Sequence, residues 1–392
     1  MIFYHTERMC NELMRILIAP DSFKESLTAV QVAEHMAAGV RQVYPEAVIR
    51  KVPLSDGGEG LTESLTSAMG GVIKYCPVTD PCGGKVSAAY GVVENHTAII
   101  EMAQASGLEL VPLGKRNPMI ATTFGTGELI KAALDQGCRT IIIGIGGSAT
   151  NDGGAGMAQA LGARLLDNSG REISWGGAGL LQLEHIDVTG LDPRLAETEV
   201  RVACDVTNPL YGPQGASYIY GPQKGASADM VRTLDRALQH WAKVIKRDLG
   251  IDVAGVPGAG AAGGLGAGLL AFAGGKLQPG LELVMDILHM EEILASGLDL
   301  VITGEGSING QSLYGKVPVG LARRAKQYGI PVIAIVGSIG PGAGAVYQHG
   351  IDALVSIAPG PITLDESLSR AGELVREAAQ TALRLLRIGK NV

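Results

Sequence analysis

The sequence predicts an α/β fold of two domains, and three observations predict it. Short β-branched runs alternate with amphipathic helical patterns near both termini, which is the βαβ signature of a parallel sheet covered on both faces. The chain has 392 residues, and a domain typically takes roughly 100–200. Its middle breaks the alternation and carries two glycine-rich runs, "GIGGSATNDGGAG" (Gly144 to Gly156) and "PGAGAAGGLGAG" (Pro257 to Gly268). The two chain ends are therefore expected to build one Rossmann-like parallel-sheet domain, residues 14–75 and 291–392. Residues 76–290 form an inserted α/β domain with a glycine-rich phosphate loop, and residues 1–13 are an N-terminal extension.

Each element follows from its pattern. "RILIAP" predicts a buried strand, and Thr28 with Gln31 forms a capping box that opens the helix "AVQVAEHMAAGVRQV". "AVIRKVPL" is a second strand, and "DGGEGLTESLTSAMGG" turns through glycines into a second helix. In the middle, "KVSAAYGVV", "TAIIEMA", "TIIIGI" and "EVRVACDV" read as strands. "GELIKAALDQG" and "MVRTLDRALQHWAKVIKRDLG" read as helices. Near the C-terminus "LDLVITGEGS" predicts a strand and turn, and "VPVGLARRAKQYG" a helix closed by Gly329. "IPVIAIVGS" and "IDALVSIAPG" predict strands, "GAVYQHG" a helix, and "ESLSRAGELVREAAQTALRLL" the final helix.

Composition narrows the function. Net charge is −7, which excludes the broad basic surface that nucleic acid requires. An anionic small substrate stays compatible if its positive contacts are local. Five cysteines without metal spacing predict neither zinc nor a disulfide framework, and fit the reducing cytoplasm. No apolar run reaches the ~18–20 residues of a membrane span. "MIFYHTERMCNEL" lacks the apolar core of a signal peptide. Oligomeric state is left open.

Ligands of open parallel sheets bind beyond the carboxyl ends of the strands, and the polar residues gather there. Asp21, Ser22, Lys24 and Ser26 follow the first strand, and Asp56 and Glu59 the second. Thr303, Glu305, Ser307 and Ser338 follow the later ones. Singly each reads as a helix cap, but together, with Lys24, they read as a site. The first glycine run follows a strand and precedes a helix, a geometry that aims free N–H groups at an anion. Gly146 and Gly147 supply amides, and Ser148, Thr150 and Asn151 add donors. Asp152 is a candidate for magnesium, held through water. "GIGGSA" also fits a relaxed dinucleotide fingerprint with Asp167 downstream, so a nicotinamide-dependent hydroxyacid dehydrogenase is a rival reading. "GQSLYGKV" is not a P-loop, because Val317 stands where Ser or Thr must hold magnesium, yet Lys316 can still reach a phosphate. Asp205, Thr207 and Asn208 end another strand, and Lys224 lies in "GPQKGA".

Together "APDSFKESLTA", "SDGGEG", "TTFGTGELI", "GIGGSATNDGGAGMAQALGA", "CDVTNPL", "GPQKGA", "PGAGAAGG" and "TGEGSINGQSLYGKVP" resemble, in order, the bacterial glycerate kinases of the glycerate 2-kinase type. The resemblance runs from about Met14 to near the C-terminus. It implies ATP-dependent phosphorylation of D-glycerate, with Mg2+, to 2-phosphoglycerate. It also implies a two-domain α/β fold with the site in the cleft between domains, and a role in glycerate use. The family's late motif is expected to read T-G-E-G-x-I-D, and here Asn309 stands at the Asp position. A catalytically impaired nucleotide-binding homologue is therefore a second alternative, unless that residue only caps a turn.

For phosphoryl transfer, Gly146, Gly147 and Ser148 are expected to hold the nucleotide phosphates, with Thr150, Asn151 and Lys316 beside them. Lys24 and Lys224 would neutralise phosphate or the glycerate carboxylate. Asp56, Asp205 and Glu305 are candidates for catalysis and magnesium, with Asp205 first as base toward the substrate hydroxyl.

Overall fold

The computed structural model describes residues 13–389 apart from Asn95 and Tyr314. The N-terminal extension expected over residues 1–13 lies outside the described residues except for Leu13. The described strands are β1 (Arg15–Ile18), β2 (Val48–Lys51), β3 (Val72–Thr79), β4 (Lys85–Val93), β5 (Thr97–Glu101), β6 (Thr140–Gly144), β7 (Arg164–Leu166), β8 (His185–Asp187), β9 (Glu199–Ala203), β10 (Lys276–Gln278), β11 (Leu300–Ile308), β12 (Val332–Ile339) and β13 (Ala353–Ser356). The chain divides into a two-segment unit, which ends at Pro53 and resumes at Glu291, and a continuous unit, Leu54–Met290.

The two-segment unit holds a five-stranded parallel sheet in the order β13-β12-β11-β1-β2. Numbered within the unit this is 2-1-3-4-5, a doubly wound sheet whose direction of winding reverses between β1 and β11. Ile16, Ile18, Ile302 and Ile335 meet Val32, Met36, Leu374 and Leu383 in its core. The helix Ala29–Arg41 opens on the expected box: Thr28 Oγ1 accepts from the Gln31 amide at 3.3 Å, and Gln31 Oε1 accepts from the Thr28 amide at 3.0 Å. Packing against the helix Ala371–Gly389 is close, because a Cβ on Gly39 would stand 2.3 Å from the Arg376 carbonyl.

Three expectations for this unit change. "TGEGS" is strand rather than turn, since β11 keeps pairing with β12 through Glu305–Val336 and Ser307–Ser338. "GAVYQHG" is a 3-10 turn, Ala343–His349, bounded by left-handed Gly342 and Gly350. The last helical pattern breaks at Arg370 into Leu364–Ser369 and Ala371–Gly389.

The continuous unit holds a mixed six-stranded sheet in the order β10-β9-β6-β5-β4-β3. β5, β6, β9 and β10 run parallel, and β3 and β4 add antiparallel strands at one edge. The unit boundary lies between Pro53 and Leu54, not near residue 75. The reason is packing: the helix Leu61–Ala68 buries Leu61 and Leu65 and lies on β3, β4 and β5. Strand β3, the hairpin of β7 and β8, and β10 were not expected. Three of them are only three residues long, too short to show a period, and β3 is a largely exposed edge strand.

The second glycine run forms the helix Ala261–Phe272, interrupted near its start by left-handed Ala262, Gly263 and Gly264. It lies directly on the first run. A Cβ on Gly263 would stand 2.0 Å from the Thr150 carbonyl, and one on Gly268 would stand 2.8 Å from Gly154 Cα. Glycine is required here for backbone to approach backbone. Among the described residues no helix is long and apolar enough to cross a membrane.

Candidate active site

β6 ends at Gly144, and the following helix does not begin until Ala155. The loop between them divides by burial. Gly146 and Gly147 are exposed, Gly147 with φ 73°, whereas Ser148 to Asp152 are buried. The exposed part, with Ser148, forms one wall of a cavity of about 370 Å3 in the continuous unit. Asp56, Asp205, Tyr220 and Lys224 also line it. The site thus sits beyond the carboxyl ends of β6 and β9, where the strand-end rule places it.

Lys224 is the most unusual group. It is only 1% exposed, yet its Nζ donates to Ser148 Oγ and to the Thr150 carbonyl, each at 2.7 Å. Burial lowers its pKa to about 7, against an opposing pull from Asp152. A protonated Lys224 can only donate, so it occupies a lone pair of Ser148 Oγ and leaves the serine proton for another acceptor. The carboxylates are tethered as well. Asp205 Oδ1 accepts from the Gly280 amide at 2.7 Å, and Asp56 Oδ1 accepts from the Gly58 amide at 3.2 Å.

Three residues expected to face a ligand lie in the buried wall instead. Asp152 is wholly buried and accepts from the Thr123 amide and hydroxyl, both at 2.8 Å, and from the Gly154 and Gly156 amides, both at 3.2 Å. Burial raises its pKa, and these donors oppose the rise. Its role is to staple the loop to the helix start. It is not placed as a magnesium ligand, and the amides expected to bind phosphate at that helix start are already used. Asn151 donates to Ser217 Oγ at 3.0 Å, and Thr150 gives its carbonyl to Lys224. Neither lines the cavity.

Eight further candidates line a second cavity, of about 630 Å3, in the two-segment unit. Asp21, Ser22, Lys24 and Ser26 reach it from the loop after β1, Glu305 and Ser307 from β11, and Ser338 from β12. Lys316 reaches it from the N-cap of the helix Val317–Gln327. This is the point where the sheet's winding reverses. The β1 loop is closed by a Phe23–Leu27 bridge and holds Glu25 at φ 65°, a conformation unfavourable for a residue with a Cβ. Thr303 is structural, its hydroxyl donating to the Ala19 carbonyl at 2.8 Å. Asp56 and Glu59 do not line this cavity, and their loop belongs to the continuous unit.

Asn309 lies outside the lining of that cavity. Its Oδ1 accepts from the Gln311 amide at 2.8 Å, and its amide donates to Ser312 Oγ at 3.1 Å. Asn and Asp share that turn-capping oxygen, so the substitution keeps the interaction. The dinucleotide fingerprint fails on geometry. Its glycines do not open a helix, and Asp167 closes a turn by accepting from the Ser169 and Arg171 amides at 2.8 and 3.0 Å.

Sequence reasoning missed two residues near the first cavity. Glu101, buried at the end of β5, accepts from the Gly60 and Thr62 amides at 3.2 and 2.8 Å. Its pKa is raised by burial, and it anchors the loop that carries Asp56. The strand-end rule, applied to "TAIIE", points to it. Tyr220 lines the cavity and donates to Asn208 Oδ1 at 2.6 Å. No pattern in the sequence marks it.

No cluster of three His, Cys, Asp or Glu side chains able to hold a metal occurs among the described residues. Asp56 and Asp205 line one cavity, and Asp21, Glu25 and Glu305 line the other, but no three of them converge on one point. That donor set is too small to cage an ion, and it suits Mg2+ arriving on phosphate oxygens.

One unit with a doubly wound sheet and a polar cavity at its reversal point, and another with a mixed sheet and a glycine-loop cavity, define an α/β protein with strand-end ligand sites. Residues 16–387 match the model of the Glycerate kinase family, and the chain belongs to that family. It is 53% identical over 366 residues to a glycerate kinase of Halalkalibacterium halodurans, covering 93% of this chain and 96% of that protein. It is 53% identical over 377 residues to a glycerate 2-kinase of Escherichia coli, covering 96% and 99%. A crystal structure described as glycerate kinase 2 from Salmonella typhimurium superposes with a TM-score of 0.89 at 51% identity, covering 97% of this chain and 100% of that one.

Proposed function

We propose that this protein is an ATP-dependent kinase that phosphorylates D-glycerate to 2-phosphoglycerate in the cytoplasm. Family membership and the relatives' names support the reaction. The observation that carries it is the cavity in which the Gly146–Gly147 loop, Ser148 and the buried Lys224 are joined by Asp56 and Asp205. Phosphoryl transfer needs three things from a protein: anion binding, an oriented hydroxyl and neutralised phosphate charge. The loop amides, Ser148 and Lys224 bind an anionic oxygen. Asp205, held by the Gly280 amide, accepts the proton of the attacking hydroxyl. Mg2+ would be held by carboxylates of one of the cavities together with nucleotide phosphates, and would supply charge neutralisation.

The test is ADP release from ATP and Mg2+ with and without D-glycerate, with the product identified by NMR. Glycerate-dependent ADP and a phosphate on C2 support the reading. ADP release that ignores glycerate would remove it.

A further inference from the structure

We infer that the two substrates take different cavities: the Mg2+–nucleotide binds in the larger cavity of the two-segment unit, and the carboxylate of glycerate binds on the glycine loop of the continuous unit. This rests on the kinase reading and divides its substrates. It reverses the expectation that Gly146, Gly147 and Ser148 hold the nucleotide phosphates.

The lining of the larger cavity holds both kinds of group that a nucleotide uses. Its lining brings Lys24 and Lys316 together with Asp21, Glu25 and Glu305. Three carboxylates beside two lysines repel a bare anion, and they suit phosphates that arrive carrying Mg2+. Ile357, Ile362, Leu364 and Leu368 add apolar surface to the lining. Leu364 is 69% exposed at this cavity, so a base laid against it removes apolar surface from water. The position also fits, since doubly wound sheets take ligands where the winding reverses.

The smaller cavity suits a small acid better. At about 370 Å3 against about 630 Å3 it is the tighter of the two, and ATP has more than four times the non-hydrogen atoms of glycerate. Its anion-binding part is short. Asp152 has already taken the helix-start amides, which leaves the Gly146–Gly147 segment, Ser148 and Lys224. A carboxylate is served by two or three such donors, whereas a triphosphate needs a longer cradle. With the carboxylate held there, the hydroxyls of glycerate share the cavity with Asp56 and Asp205.

The experiment is calorimetric titration of the full chain with Mg2+ and the β,γ-imido analogue of ATP, and separately with D-glycerate. Lys24→Ala and Leu364→Asp change exposed side chains and leave the core untouched. Each should weaken analogue binding tenfold or more and leave glycerate affinity within twofold. Ser148→Ala should do the reverse. Near-normal analogue affinity in both Lys24→Ala and Leu364→Asp, or loss of it in Ser148→Ala, overturns the assignment. A wild-type protein that binds the analogue as described but releases no ADP with glycerate would remove the kinase reading and leave the nucleotide cavity standing.

Discussion

Lys224 joins structure to function at the scale of one residue. Its ammonium is stripped of water and holds Ser148, so the fold favours its neutral form, with a pKa near 7 against 10.5 in a free side chain. Between those values the unfolded chain binds the proton more readily than the fold. On this group's account stability therefore rises with pH from about 7 to 10.5 and is flat below 7. An anionic ligand prefers the charged form, which reverses the trend for binding. Glycerate affinity is expected to fall as pH rises above about 7. Lys224→Met should weaken binding at neutral pH by about tenfold and flatten the profile, as calorimetry across pH 6–9 would show. A profile unchanged in Lys224→Met would exclude the group from the site. Asn309 makes the opposite case: because its side chain accepts through the oxygen that Asp shares, Asn309→Asp is expected to leave turnover within about twofold in the ADP-release assay.

At the scale of elements, the two glycine runs do different work along their lengths. Gly146 lines the cavity, and a Cβ added there would make only an ordinary contact, 3.5 Å from Gly58 Cα. Gly146→Ala should therefore melt within a degree or two of wild type, yet raise the KM for glycerate by filling the cavity. Gly263 is left-handed, and a Cβ added there would stand 2.0 Å from the Thr150 carbonyl. Gly263→Ala should destabilise by roughly 3 kcal/mol or more, from steric overlap and backbone strain together. Asp152→Ala strips acceptors from four buried donor contacts and should cost a similar roughly 3 kcal/mol. If Gly263→Ala and Asp152→Ala melt like wild type in a thermal scan, the stapled-loop account of this region fails.

At the scale of the molecule, the two units differ in how the chain makes them. Residues 54–290 are continuous, and their own core includes Ile100, Ile143, Val202 and Trp241. Expressed alone, this segment is expected to unfold cooperatively in a thermal scan. Residues 13–53 supply only β1, β2 and one helix, and β1 needs β11 from the far end of the chain. That segment alone should show no cooperative transition. Cooperative folding of the short segment, or its absence in the long one, would count against the division.

Much of this was legible in the residues themselves. The capping box at Thr28, the β-branched strands and the long helix after Ser227 are local signals, set by backbone sterics, capping chemistry and hydrophobic period. The polar residues at strand ends were legible for the same reason, and the family resemblance rested on such short motifs. Tertiary structure decided what needs distant partners. It assigned Asp56 to the continuous unit through the packing of the helix Leu61–Ala68. It turned Asp152 inward, because Thr123 lies 29 residues away in sequence but 2.8 Å away in space. It brought Lys224 to Ser148 across 76 residues. Motif residues show what chemistry a chain carries. Burial and long-range hydrogen bonds decide which of those groups face a ligand and which hold the fold, because desolvation acts on position in space and not on position in sequence.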